Sequence, residues 1–123
     1  LLEECVTYSV GEGARTGRLL LDRARPTAII AGNDQIAVGL LDVLEERGLR
    51  CPEDVSVVGY NDMPFVDKLS PPLTTVHVPH SAIGAEGSRI LLRWLRDGAS
   101  ATTTLSLGVD LVARGSTAPV PET

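Results

Sequence analysis

Ala28-Ile29-Ile30-Ala31-Gly32-Asn33-Asp34 and Val55-Ser56-Val57-Val58-Gly59-Tyr60-Asn61-Asp62 are the two stretches that decide the fold. Each begins as a run of small and β-branched residues with little polar alternation, the pattern of a strand covered on both faces of a parallel sheet. Each run gives way within two residues to an Asn-Asp pair. Open α/β sheets bind ligands outside the carboxyl ends of their strands, so polar pairs at these two places make a small-molecule site the leading idea. An Asn side chain offers donors and an acceptor, and an Asp accepts at both oxygens. Together they suit ligands dense in hydroxyl or amide groups, such as sugars and nucleobases. Both pairs also have plain structural readings: Asn33-Asp34 as a helix cap, Asn61-Asp62 as a turn after a strand.

Working outward, the segment after the first pair reads as a well-marked helix. Asn33 is placed to cap it, Asp34 falls in its first turn, Arg47 in its last turn and Gly48 at its stop. Ile36, Ala37, Leu40, Val43 and Leu44 share one face at 100° per residue; Val38 and Leu41 lie to the side and need another partner. Upstream, residues 5–10 alternate like a strand, Gly11-Glu12-Gly13 breaks the run, and an Arg- and Leu-rich helix is expected over 13–24, ended by Pro26. Downstream come a rigid Ser70-Pro71-Pro72 break, a strand over 73–78 and a helix over 80–97 that carries Ile83, Ile90, Leu91, Trp94 and Leu95 inward. Close backbone packing is the expected reason for Gly84 and Gly87 in that helix. A small-residue linker over 99–103, a last strand over 105–112 and a Pro-bearing tail close the chain. The β-α-β-α-β order implies a parallel sheet with right-handed crossovers.

The chain has 123 residues, enough for one domain that buries roughly two thirds of its extended surface. Its aromatics are Tyr8, Tyr60, Phe65 and Trp94, too few for base-stacking platforms, and its net charge of −5 disfavours direct contact with a phosphate backbone. Arg15, Arg18, Arg23 and Arg25 read as a solvated helix face interleaved with Asp22. Cys5 and Cys51 form no C-x-x-C pattern, and the opening residues are no secretory segment, so a reduced, cytoplasmic setting is expected. No apolar stretch approaches the ~20 residues that span a bilayer, so no membrane partner is expected. The first residue is not Met, which fits a part of something longer.

Catalytic patterns are wanting. The chain has no G-x-x-x-x-G-K phosphate loop, no H-E-x-x-H and no G-x-S-x-G, so no catalytic residue is assigned and no cofactor is expected. His77 and His80 have no Cys, Asp or Glu spaced to complete a metal set, and no metal is expected. Both read as boundary residues. His80 draws the closer look because it sits where strand gives way to helix.

Three linked motifs now add up to a family pattern. Pro26-Thr27-Ala28-Ile29-Ile30-Ala31-Gly32-Asn33-Asp34-Gln35-Ile36-Ala37-Val38-Gly39, then Gly48-Leu49-Arg50-Cys51-Pro52-Glu53-Asp54-Val55-Ser56-Val57-Val58-Gly59-Tyr60-Asn61-Asp62, then Pro71-Pro72-Leu73-Thr74-Thr75-Val76, resemble the effector-binding core of LacI/GalR (lactose-repressor-type) bacterial transcription regulators. The resemblance continues through Gly84 and Arg114-Gly115-Ser116-Thr117. It implies an α/β, parallel-sheet, periplasmic-binding-protein-like (type I) C-terminal subdomain with helices on both faces and a partial second subdomain. Residues 1–78 would be the effector-binding subdomain, 79–103 a crossover helix belonging to the N-terminal subdomain, and 104–123 a returning strand and tail.

The function so implied is the effector-sensing and dimerisation portion of a DNA-binding regulator, with a sugar- or nucleobase-like ligand held in a cleft. Operator DNA would be read only through an N-terminal helix-turn-helix outside this chain. The alternative is a solute-binding protein of the periplasmic type, with an enzyme on the same scaffold a distant third. Carried over by position, Asn33 resembles a cleft-lining Asn, and Asn61 falls where the family usually has an effector-contacting Asp. That departure leaves Asp62 as a substitute carboxylate, and His80 falls near a position that packs on the ligand in some members. The ligand-binding set is thus Asn33, Asn61, Asp62 and His80. The family's dimer interface falls on Val38, Leu41, Phe65, Val66 and Leu69, whose exposed-looking apolar side chains predict an isologous homodimer.

Overall fold

The computed structural model describes residues 1–98 and 102–120. The elements in chain order are α1 (Val10–Arg23), β1 (Ala28–Ile30), α2 (Asp34–Glu46), β2 (Ser56–Asn61), a short 3-10 turn at Val66–Lys68, β3 (Thr74–His77), α3 (His80–Asp97) and β4 (Asp110–Val112). The sheet runs β1-β2-β3-β4, with β1–β2 and β2–β3 parallel. By contacts the chain forms two units. One comprises Leu1–His77 and the segment from Leu111; the other comprises Val78–Asp110.

In the first unit the buried face of α2 is the one its periodicity predicts: Ile36, Ala37, Leu40, Val43 and Leu44 are all buried. Ile36, Ala37, Leu40 and Leu44 join Ala31, Val55, Val57, Val66 and Leu73 in the core cluster. Asn33 caps α2, its Oδ1 accepting from the Ile36 amide at 2.8 Å. Gly48, at φ +68, takes the left-handed conformation that ends the helix.

Beneath the sheet's near end, Ser116 stitches strands together. It is fully buried, donates to the Val57 carbonyl at 2.6 Å and accepts from the Thr74 amide at 2.7 Å. Its own carbonyl accepts from the Val57 amide, extending the ladder beside β2 below the start of β3. Two pairs, Arg18–Glu46 and Arg47–Asp22, tie α1 to α2 at the surface, which accounts for part of the Arg-rich face.

Several expectations are corrected. Residues 5–10 form no strand. Instead Ser9 caps a helix that already begins at Val10 and runs through Gly11 and Gly13. These residues have no paired strand in the sheet, and alternation alone makes no ladder. Gly13 does not break the helix; it lets it lie against α2, because a methyl there would overlap the Ile36 carbonyl. Gly39 on α2 plays the reciprocal part against the Val10 carbonyl. The last strand is confined to Asp110–Val112.

In the second unit, α3 has the expected bounds but no buried residue. Ile83, Leu91, Trp94 and Leu95 are exposed rather than inward, and a methyl at Gly84 or Gly87 would meet nothing within 4 Å. Close packing is therefore not the reason for those glycines. The expected linker over 99–103 lies partly outside the described residues.

Candidate functional site

Parallel pairing aligns the strand ends. Ile30 pairs with Val58 in the β1–β2 ladder, so Asn33 and Asn61 each stand three residues beyond that pair, at the carboxyl edge. The β2–β3 ladder then pairs Asn61 with His77. Asn33, capping α2 just past β1, and the Asn61–His77 pair at the ends of β2 and β3 thus lie along the edge where such sheets hold ligands.

Asn61 and Asp62 bend the chain away from β2 with φ of +114° and +58°. Few side chains tolerate the left-handed region, and Asn and Asp are the non-glycine residues most often found there. Holding two such residues in succession takes outside support. One support is the Met63 amide, which donates to Asp34 Oδ2 at 2.8 Å. The other is Arg114, whose Nη2 donates to Asp62 Oδ1 at 2.7 Å while Nη1 donates to the Leu73 carbonyl at 2.9 Å.

The four expected ligand residues fare differently. Asn33 uses Oδ1 for its cap, while Nδ2 reaches the Tyr8 carbonyl only at 3.5 Å. Asn61 is half-buried, and its side chain makes no hydrogen bond among the described residues. Asp62 is engaged at both oxygens, with Arg114 on Oδ1 and His77 Nδ1 at 3.0 Å on Oδ2. Burial works against its ionisation, but the hydrogen bonds and charges of Arg114 and His77 outweigh that and hold the carboxyl below its usual range. His80 opens α3 in the second unit and is exposed.

Asp34 is no ligand residue: it is fully buried and accepts from Thr75 Oγ1 and the Met63 amide. Gly59 allows this, since a methyl there would overlap Asp34 Oδ1.

Sequence reasoning passed over His77 and gave Arg114 no role. Both lie far in sequence from Asp62, and the only signal for Arg114 was its place in the Arg114-Gly115-Ser116-Thr117 motif. Among the described residues no cluster of His, Cys, Asp and Glu is arranged to hold a metal. A hollow of about 430 Å³ lies elsewhere, along the open edge of β1 beside α1, lined chiefly by apolar groups such as Leu2, Ile29, Ile30 and Leu40.

Of the expected interface residues, Val38, Leu41 and Leu69 line a surface groove of about 680 Å³ together with Leu49, Pro52 and Pro71. Phe65 is exposed and lies outside it. Val66 corrects the expectation: it is 1% exposed and belongs to the core, because its turn folds back under Leu73 and its carbonyl accepts the Leu73 amide. Cys51 also lines the groove, and burial pushes its thiol up to about 11, which leaves it a poor nucleophile at neutral pH.

An open α/β sheet, parallel across β1, β2 and β3, with polar groups along its carboxyl edge is an architecture in which ligands are held at that edge. The chain belongs to the periplasmic binding protein-like domain family, matching the family profile over residues 3–117. Within that class its relatives are regulators of the LacI/GalR type. It is 39% identical over 92 residues to the HTH-type transcriptional repressor PurR of Vibrio atlanticus (strain LGP32), a match covering 75% of this chain and 28% of that protein.

Among solved structures, a LacI family transcriptional regulator from Enterococcus faecalis V583 with bound ribose superposes with a TM-score of 0.88 at 34% identity, covering 94% of this chain and 43% of that one. The lac repressor dimer bound to operator and the anti-inducer ONPF gives 0.82 at 34% identity, covering 89% and 38%. The chain spans under a third of the length of the curated repressors it matches. Among the described residues no helix is long and apolar enough to cross a membrane.

Proposed function

We propose that this chain forms one wall of the effector cleft, and the pairing surface, of a DNA-binding transcription regulator. The observation that carries the reading is the alignment of Asn33 and Asn61 at the carboxyl ends of adjacent parallel strands, one amide only loosely bonded and the other free of hydrogen bonds among the described residues. Two amides at one level suit a small ligand rich in hydroxyl or amide groups, a sugar or a nucleobase. Ribose in the Enterococcus relative supports that class. Asp62 supports the wall from behind. His80, which the family pattern places near the ligand, is not needed for the reading.

Effector binding would shift a two-state cleft and so the geometry of DNA-binding heads lying outside this chain. Pairing would use the groove around Val38, Leu41 and Leu69, with a second copy as its occupant. The dimeric lac repressor supports that choice.

A thermal-shift panel of sugars, nucleosides and purines on the protein as its gene encodes it tests the reading. Stabilisation by one of these, lost in Asn33→Ala and Asn61→Ala, is expected. Unchanged affinity in both variants removes these residues from the site. The family match equally accommodates a transport-type solute-binding protein, and a secretory signal encoded ahead of Leu1, in place of a helix-turn-helix, would favour it.

A further inference from the structure

We infer that Arg114 is a positioning residue of the effector wall: it clamps Asp62, and through that clamp it sets the backbone turn that carries the Asn61 amide. The inference rests on the effector-cleft reading above and names the residue on which the geometry of that site depends.

The Asn61 side chain makes no hydrogen bond among the described residues, so its placement is left to the backbone. That backbone is unusual. Asn61 ends β2, still paired with His77, at φ +114°, and Asp62 follows at φ +58°. Residues other than glycine stay in this region only where their surroundings over-determine it. The ladder fixes the start of the turn. The Met63 amide, donating to Asp34, fixes the chain beyond it. Between them the turn itself is held by the side chain of Asp62.

Arg114 supplies the fixed end of that hold. Its guanidinium is a rigid planar fork, with Nη2 donating to Asp62 Oδ1 at 2.7 Å and Nη1 to the Leu73 carbonyl at 2.9 Å. Its own amide donates to Thr74 Oγ1 at 2.9 Å, and the Gly115 amide donates to the Pro72 carbonyl. Two residues on, the buried Ser116 hydroxyl ties the same segment to Val57 and Thr74. The clamp therefore refers the turn after β2 to the firmly bonded start of β3. His77 Nδ1 meets the other Asp62 oxygen at 3.0 Å, but His77 keeps 47% of its side chain exposed against 20% for Arg114. Arg114 also carries its charge at every working pH, so its half of the hold does not vary.

Two measurements on the protein as its gene encodes it test this. The first needs no ligand. With asparagine and aspartate labelled with ¹⁵N, Asn61 and Asp62 are assigned by their variants, and each should show the strong intraresidue amide-to-Hα cross-peak of a positive φ. Arg114→Met should weaken both cross-peaks. Gly39→Ala, which disturbs the contact of α2 with α1, should leave them alone. Arg114→Lys, which keeps the charge but not the fork, carries the same comparison if Arg114→Met does not fold.

The second is calorimetric titration with ribose, cellobiose and adenine in a double-mutant cycle. Arg114→Met should weaken the probe that binds about tenfold in the parent and leave affinity unchanged in the Asn61→Ala background, because Arg114 acts through Asn61. Unaltered cross-peaks in Arg114→Met, equal losses in Gly39→Ala, or effects of Arg114→Met and Asn61→Ala that multiply independently overturn the inference and leave the sensor reading standing. Binding by none of the probes counts against the sensor reading, and the cross-peaks then decide whether Arg114 holds the turn.

Discussion

Thr75 Oγ1 donates a 2.6 Å hydrogen bond to Asp34 Oδ1, joining β3 to the first residue of α2 beneath the candidate wall. Asp34 is fully buried, and its second oxygen takes the Met63 amide from the turn after β2. One carboxylate thus ties three segments whose ends carry the polar row. Removing a partner from a buried charged acceptor costs more than the bond returns, because the acceptor stays behind unsatisfied. Thr75→Val should therefore lower the unfolding free energy by about 1–3 kcal/mol in urea titrations. A change near zero would mean that Asp34 finds water or another donor there.

The helix–helix contact gives a second test. A methyl at Gly39 would overlap the Val10 carbonyl and the Ala14 amide, and one at Gly13 the Ile36 carbonyl. These are backbone atoms, which cannot swing aside. Gly39→Ala and Gly13→Ala should each destabilise by about 1–3 kcal/mol despite the better helix propensity of Ala. Gly84→Ala is the control. Its Cβ meets nothing within 4 Å, so propensity alone acts and a gain of up to about 1 kcal/mol is expected.

These contrasts explain what could be read from the sequence. α2 was legible because its signals are local: a cap at Asn33, a 3.6-residue apolar period and a stop at Gly48. Gly13 and Gly84 look alike in sequence, and only the neighbouring helix tells a contact from open space. Cys5-Val6-Thr7-Tyr8 alternates like a strand, but a strand needs a partner, and the local demand of Ser9 and Glu12 for a helix start prevails. The places of Asn33 and Asn61 at the carboxyl edge follow from the apolar runs that precede them. The Asp62–Arg114 tie spans 52 positions, and no local pattern announces it.

Acid should expose that tie. Asp62 is held below its ordinary 3.8 in the folded chain, so the unfolded chain binds the extra proton first. The stability contributed is fully present above the ordinary value and drains away as pH falls through the folded one. Glu12, held at about 2 by its hydrogen bonds from Arg15 and the Val6 amide, acts with the same sign. Its partner Arg15 is half exposed, so solvent screening leaves the pair a small share. Unfolding free energy should thus decline from about pH 5 downward, and Arg114→Met should lower the neutral plateau and flatten the acid limb. An unchanged acid limb in Arg114→Met would show that Asp62 does not carry it.

Asn33 has two duties that variants can separate. Asn33→Ala removes the cap and should cost about 1 kcal/mol of stability along with any ligand contact. Asn33→Asp keeps an oxygen for the Ile36 amide, so stability should hold, while the Nδ2 donor is gone. Weakened effector binding at preserved melting temperature is the expected result for Asn33→Asp. Equal losses of both properties would reduce Asn33 to a cap.

Pairing through the α2 groove can be set against core packing by comparing two valines. Val38 is half-buried at the groove, and Val66 is 1% exposed in the core, although both look like surface hydrophobes in the sequence. Sedimentation at micromolar concentration should give a two-chain mass for the protein as encoded, and Val38→Asp should shift it toward one chain by placing like charges face to face across a two-fold axis. Val66→Ala should leave the mass alone and lower stability by about 1–3 kcal/mol through the cavity it opens. A one-chain mass before any substitution, or a dimer untouched by Val38→Asp, contradicts the groove as the pairing surface. A dimer lost in Val66→Ala at full stability would return the 3-10 turn to the interface.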